Sequence, residues 1–106
     1  MAPGIPPAAG AALVTPEHLL NQSLAFYRPK HYFECILSAR KALQLRPNFP
    51  EAYNNIAAAN NAMGRWDEGI RAANEALRLN PTYVLARNNL QWALQQKQIL
   101  ASPKRP

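Results

Sequence analysis

Residues 50–81 read PEAYNNIAAANNAMGRWDEGIRAANEALRLNP, and this stretch decides the fold. Two segments with helical apolar spacing flank Gly64, one proline opens the unit and another closes it. Displaced by 34 residues, segment 16–49 lies on 50–83 without a gap. Identities fall at Pro16/Pro50, Glu17/Glu51, Asn21/Asn55, Ala25/Ala59, Glu34/Glu68, Ile36/Ile70, Ala39/Ala73, Ala42/Ala76, Leu43/Leu77, Leu45/Leu79 and Pro47/Pro81. A third copy opens at Val84, where Ala86, Asn88, Asn89 and Ala93 match Ala52, Asn54, Asn55 and Ala59. Self-similarity at this period marks a solenoid, in which each unit buries its apolar face against its neighbours.

The chain has 106 residues, enough for one small domain. Alanine, leucine, asparagine, arginine and glutamine dominate, and no alternating Val/Ile/Thr run suggests a sheet. No apolar stretch approaches the roughly 20 residues that cross a bilayer. No basic segment precedes the apolar N-terminal residues, as a signal peptide requires. The single cysteine, Cys35, excludes an internal disulfide and a cysteine-built metal cluster, and fits a reducing, cytoplasmic setting. A net charge of +6 and a pI near 10.0 raise nucleic acid or an anionic surface as a partner. The basic residues are scattered rather than clustered, with Lys104 and Arg105 in the last residues of the chain.

Taken in order, residues 1–14 are rich in Pro, Gly and Ala and uncharged, which predicts a disordered arm. Thr15-Pro16-Glu17 is a helix start: a capping side chain, a proline suited to the first turn, and an acid facing the helix dipole. The pattern predicts helices over 16–27, 32–46, 50–63, 66–79 and 82–100, followed by a basic tail at 101–106. Leu19, Ala25 and Phe26 are expected to face inward from the first helix, and Ile36, Ala39, Leu43 and Leu45 from the second. Gly64 suits the left-handed turn inside the second pair. Lys30 holds the same place in the first pair after Pro29, which predicts a different and looser turn there.

These copies resemble the tetratricopeptide repeat (TPR), whose period is 34 residues. Tyr53, Ile56, Ala57, Gly69, Ile70, Ala73, Ala76 and Pro81 occupy the signature positions of the second copy. Leu19, Ser23, Phe26, Tyr32, Cys35, Ile36, Ala39, Ala42 and Pro47 occupy those of the first. In this frame Ser23 faces Cys35 and Ala57 faces Gly69, small residues that let two helices approach closely. Tyr32 and Trp66 wedge the turns. The resemblance spans residues 16–100 and departs from the pattern at Pro29-Lys30 and at Asn60, where the family carries a bulky residue. It implies an all-α, right-handed α–α superhelix: repeat 1 over 16–49, repeat 2 over 50–83, and a capping helix over 84–100. Arg87 and Gln91 replace the packing residues Tyr53 and Ala57, so the last helix is expected to end the array, with Ala86, Leu90, Ala93 and Leu94 packing on the preceding repeat. Polar ends of this kind predict a monomer.

The resemblance implies an interaction module whose first helices line a concave groove; fold alone names no ligand. Asn21, Asn55 and Asn89 recur at intervals of 34 and so share one position on three successive groove helices. A carboxamide both donates and accepts, which lets it grip a peptide group whatever the side chain. The arrangement is similar to the asparagine ladder in the TPR superhelix of O-linked N-acetylglucosamine transferase. Stacked helices lie roughly 8–10 Å apart and an extended peptide advances about 3.3 Å per residue, so a rung would meet about every third residue. Each rung contributes on the order of 1 kcal/mol, so neighbours must help: Asn54, Asn61, Asn88, Gln95 and Gln96 as further amides, and Leu20, Leu24, Tyr27 and Trp92 as apolar contacts. The same asparagines also suit bonds between neighbouring helices, and Trp92 suits packing on the preceding hairpin.

A carboxylate clamp of the kind found in chaperone-binding TPR domains is not expected. Leu20, Leu24, Leu85 and Asn89 stand where it needs lysine, asparagine, lysine and arginine; only Asn55 matches. Arg40, Lys41, Arg71 and Arg78 belong to second helices, on the convex side, and the basic stripe interleaved with aromatics that nucleic acid prefers is missing. Catalysis finds no footing either. His18 and His31 have no third group to orient them, Cys35 sits at a small-residue packing position, and no phosphate loop or metal spacing appears. The reading is a peptide-binding module without cofactor or metal. A regulatory or docking appendage of a larger enzyme such as a glycosyltransferase, and a structural scaffold without ligand, stay open beside it.

Overall fold

The computed structural model describes residues 14–102. Among them five helices follow one another with no strand: α1 (Pro16–Tyr27), α2 (Tyr32–Leu45), α3 (Pro50–Ala62), α4 (Trp66–Leu79) and α5 (Val84–Ala101). α1 with α2, and α3 with α4, form hairpins; α3 packs on α1 and α2, and α5 on α3 and α4. The expected arm over 1–13 and the last tail residues, 103–106, lie outside the described residues.

Local chemistry accounts for the ends. Thr15 caps α1, its Oγ1 accepting from the His18 N–H at 3.0 Å, and Pro16 occupies the first turn. α2 stops one residue earlier than its pattern, with the Arg46 N–H donating to the Ala42 carbonyl at 2.8 Å. α3 likewise stops at Ala62. α5 starts at Val84 rather than at 82, because Thr82 is drawn into the turn by Asn80, whose Oδ1 accepts from the Thr82 N–H at 3.3 Å and its hydroxyl at 3.1 Å.

The core is built from small side chains. Cys35, Ala39, Ala42, Ala52, Ala57, Ala59 and Ala73 are fully enclosed, with Leu19, Ile36, Phe49 and Ile56 filling between them. Three residues expected inside are not. Ala25 is exposed although its equivalents Ala59 and Ala93 are fully buried, because that face of α1 has no preceding helix among the described residues. Leu45 is exposed because it lies about 200° around α2 from Leu43, which packs on the core, and one helix cannot bury both. Leu94 is exposed because it points toward the place of a second helix, and no helix follows α5 among the described residues.

The turn at Lys30 is not the looser one expected. Its N–H donates to the Tyr27 carbonyl and the His31 N–H to the Phe26 carbonyl, both at 3.0 Å. At the equivalent places Gly64 bonds to Asn61 at 3.0 Å and Arg65 to Asn60 at 2.8 Å. Packing of the hairpin imposes the same turn on both sequences, and Lys30 is held at φ +66° where Gly64 takes +74°. A residue with a Cβ there costs about 1–2 kcal/mol. Lys30→Gly should therefore stabilise the fold by about 1 kcal/mol in urea denaturation, after glycine's greater entropy loss is counted. Gly64→Ala should destabilise it, by conformation alone, since nothing lies within 4 Å of a Cβ at that place.

The junction between the hairpins carries charge. Arg46 pairs with the Glu17 carboxylate and lies over the Phe49 ring at 4.8 Å from its centre. Glu17's own backbone N–H at the helix start, and then Arg46, hold its carboxyl below the ordinary value of 4.5. Lys97 lowers Asp67, at 2.6 Å, and so joins α5 to α4. A carboxyl whose folded pKa is depressed stabilises the fold above its unfolded pKa and loses that contribution as pH falls through the folded value. Melting temperature should therefore drop below about pH 4.5, and Glu17→Gln should show a smaller drop than wild type over that range.

Candidate functional site

α1, α3 and α5 are the first helices of the successive units, and they present the recurring asparagines on one face. Asn21 is exposed on α1, and Asn55 and Asn89 are half-buried on α3 and α5. The rungs differ in what already holds them. The Asn55 Nδ2 is 3.5 Å from the Ser23 hydroxyl, a long bond from α3 to α1. The Asn89 Nδ2 donates to the Asn54 Oδ1 at 2.8 Å, and the Asn61 Nδ2 donates to the Asn89 carbonyl at 2.9 Å. Asn54, Asn61 and Asn89 thus lock α5 onto α3.

The remaining amides divide the same way. Asn54 and Asn61 are 7% and 5% exposed, so the structure assigns them to the helix interface, whereas Asn88 faces solvent. The Asn61 Oδ1 is buried without a hydrogen-bond partner and lies against Gly69, where a Cβ would meet it at 1.9 Å. Glycine at 69 is what makes room for this amide.

Apolar contacts cluster at both ends. Leu24 is 56% exposed on α1, beside Asn21 and Arg28 at a shallow depression. Tyr27 is half-buried, its ring edge-on to Tyr32 at 5.4 Å. Trp92 is 49% exposed and packs edge-to-face on Trp66 at 6.3 Å, so it is both anchored to the preceding hairpin and open to solvent. Leu85 is equally open on α5; its position is that of Glu17 and Glu51 in the earlier units, and that change from acid to leucine was the available signal.

Ser23 donates to the Cys35 carbonyl at 2.8 Å and its oxygen lies 3.3 Å from the thiol sulfur. Burial raises the Cys35 pKa and the Ser23 contact only partly offsets it. No cluster of three or more potential metal ligands occurs among the described residues, and no helix among them is long and apolar enough to cross a membrane.

No family model matches the sequence, and no curated protein matches it. Among solved structures it is similar to the first TPR of Spaghetti (RPAP3) bound to the HSP90 peptide SRMEEVD. The two are 26% identical with a TM-score of 0.74, over 83% of this chain and 68% of that one. The fold is the TPR solenoid, a right-handed all-helical superhelix.

Because Cys35 is enclosed and its thiolate disfavoured, a disulfide reagent at pH 8 should label it only as fast as the protein opens. Labelling within seconds under native conditions would show the Ser23–Cys35 contact to be loose.

Proposed function

We propose that this chain is a protein–protein interaction module that holds an extended segment of a partner along the groove formed by α1, α3 and α5. The observation that carries the reading is the row Asn21, Asn55 and Asn89 on that face, with Leu24, Tyr27 and Trp92 beside it. Asn89 keeps its Oδ1 and one N–H beyond the bond to Asn54, so a rung can be fixed by its neighbour and still meet a peptide group. Fixing the amide in advance lowers the ordering cost of binding. The similar TPR domain was solved with a peptide bound, which supports this use of the fold.

The partner segment differs from that peptide in chemistry. SRMEEVD is acidic, and the groove positions that would supply cations here carry Leu20, Leu85 and Asn89. Glu17 and Glu51 stand at the groove edge. A neutral segment with apolar side chains about three residues apart fits Leu24, Tyr27 and Trp92. The role is non-catalytic, needs neither cofactor nor metal, and involves protein rather than nucleic acid. It suits a monomer in the cytoplasm, where a free thiol stays reduced.

Titrating a library of extended neutral peptides, followed by Trp92 fluorescence, tests the reading. The Asn55→Ala, Asn89→Ala double variant should lose about tenfold in affinity, two hydrogen-bonding rungs at most. Unchanged affinity in a variant that melts normally would remove the ladder, and an acidic C-terminal peptide binding more tightly than neutral ones would reverse the partner's chemistry.

A further inference from the structure

On the convex side, away from the groove, the second hairpin lacks one aromatic ring. Asn60 stands where the first hairpin has Phe26. It is 3% exposed, and its Nδ2 turns back onto its own helix to donate to the Ile56 carbonyl at 3.0 Å. An amide folded against α3 does not occupy the space a ring would fill. An open hollow of about 260 Å³ remains between α2, α3 and α4, with Leu43, Tyr53, Ile56 and Ala72 in its walls. Across Asn60 and Arg40 it adjoins a second depression beside Phe33 and Leu37. Those two residues sit one turn apart on α2 and are 67% and 55% exposed, so the apolar surface continues out of the hollow.

The charges around it are unbalanced. Arg40, Arg65, Arg71, Glu68 and Glu75 line the two depressions. Glu68 is taken by Arg65 at 3.3 Å and Glu75 by Arg78 at 3.0 Å. Neither Arg40 nor Arg71 has a carboxylate within 4 Å among the described residues. Two guanidinium groups therefore flank an apolar hollow whose floor is a buried amide. Positive charge beside an apolar recess complements one kind of peptide surface.

We propose that this hollow is a second binding site, independent of the groove, for an acidic segment of a partner protein that carries an apolar side chain between carboxylates. A phenylalanine or leucine of the partner lies over Asn60, in the place that Phe26 fills within the first hairpin. Its next apolar residue rests on Phe33 and Leu37, and its carboxylates meet Arg40 and Arg71. The groove takes a neutral segment and the convex hollow an acidic one, so the two faces select different sequences.

The probe is the peptide acetyl-Glu-Phe-Asp-Leu-Glu-amide, with acetyl-Lys-Phe-Lys-Leu-Lys-amide as its cationic counterpart, followed by amide chemical shifts of the full chain. The acidic peptide should shift the signals of Leu37, Ile56 and Asn60 and bind at least tenfold more tightly than the cationic one. Asn60→Phe should close the hollow and abolish those shifts without lowering the melting temperature. Arg40→Gln with Arg71→Gln should weaken the acidic peptide about fivefold, as exposed charges do, and this variant decides the matter if Asn60→Phe does not fold. Equal binding of the two peptides, binding that survives Asn60→Phe, or shifts confined to the groove residues Asn21, Asn55, Asn89 and Trp92 would each overturn the proposal.

Discussion

Everything in this structure hangs on how closely the two helices of a hairpin meet. At Ser23 and Cys35 a hydroxyl reaches across to the facing carbonyl at 2.8 Å. At Ala57 and Gly69 the helices are close enough that a Cβ on Gly69 would just touch the Ala57 carbonyl, at 3.4 Å, and would collide with the Asn61 amide lying beside it. Contact between backbones leaves no layer of large side chains between the helices, so the angle between them is set by helix shape rather than by side-chain choice. The first helices are thereby turned to one side and the second helices to the other. Groove and convex face both inherit their geometry from these two small-residue pairs.

Much of this architecture was legible because it is written periodically. The 34-residue shift, the prolines and the small pairs are local or regularly spaced, and they locate the hairpins to within a residue or two. The misplacements came from context. Ala25, Ala59 and Ala93 are identical in sequence position, yet only the latter two have a helix to pack on among the described residues. Lys30 shows the converse, a local preference overruled by the packing of the helices on either side of it.

The candidate site was legible in register but not in pairing. Sequence shows Asn21, Asn55 and Asn89 in phase; it does not show that Asn54 reaches Asn89, because that bond spans 35 residues and depends on the stagger of α3 and α5. Asn54 and Asn61, read as lining, serve as clamps between helices. The departure at Asn60 was visible as a missing ring. Its consequence, a hollow bordered by side chains from three helices, appears only once those helices are assembled.

The amide contacts also divide the groove mechanically. On one side α5 is fastened to α3 by the short Asn54–Asn89 bond, by Asn61 on the Asn89 backbone, and through α4 by Lys97 on Asp67. On the other, α1 packs on α3 with one long polar contact, Asn55–Ser23, while the Arg46–Glu17 ion pair ties α1 to the end of its own hairpin partner α2. Polar fastening is therefore uneven along the stack: α5 is bonded amide to amide onto α3, whereas α1 is held chiefly by packing on α2 and α3.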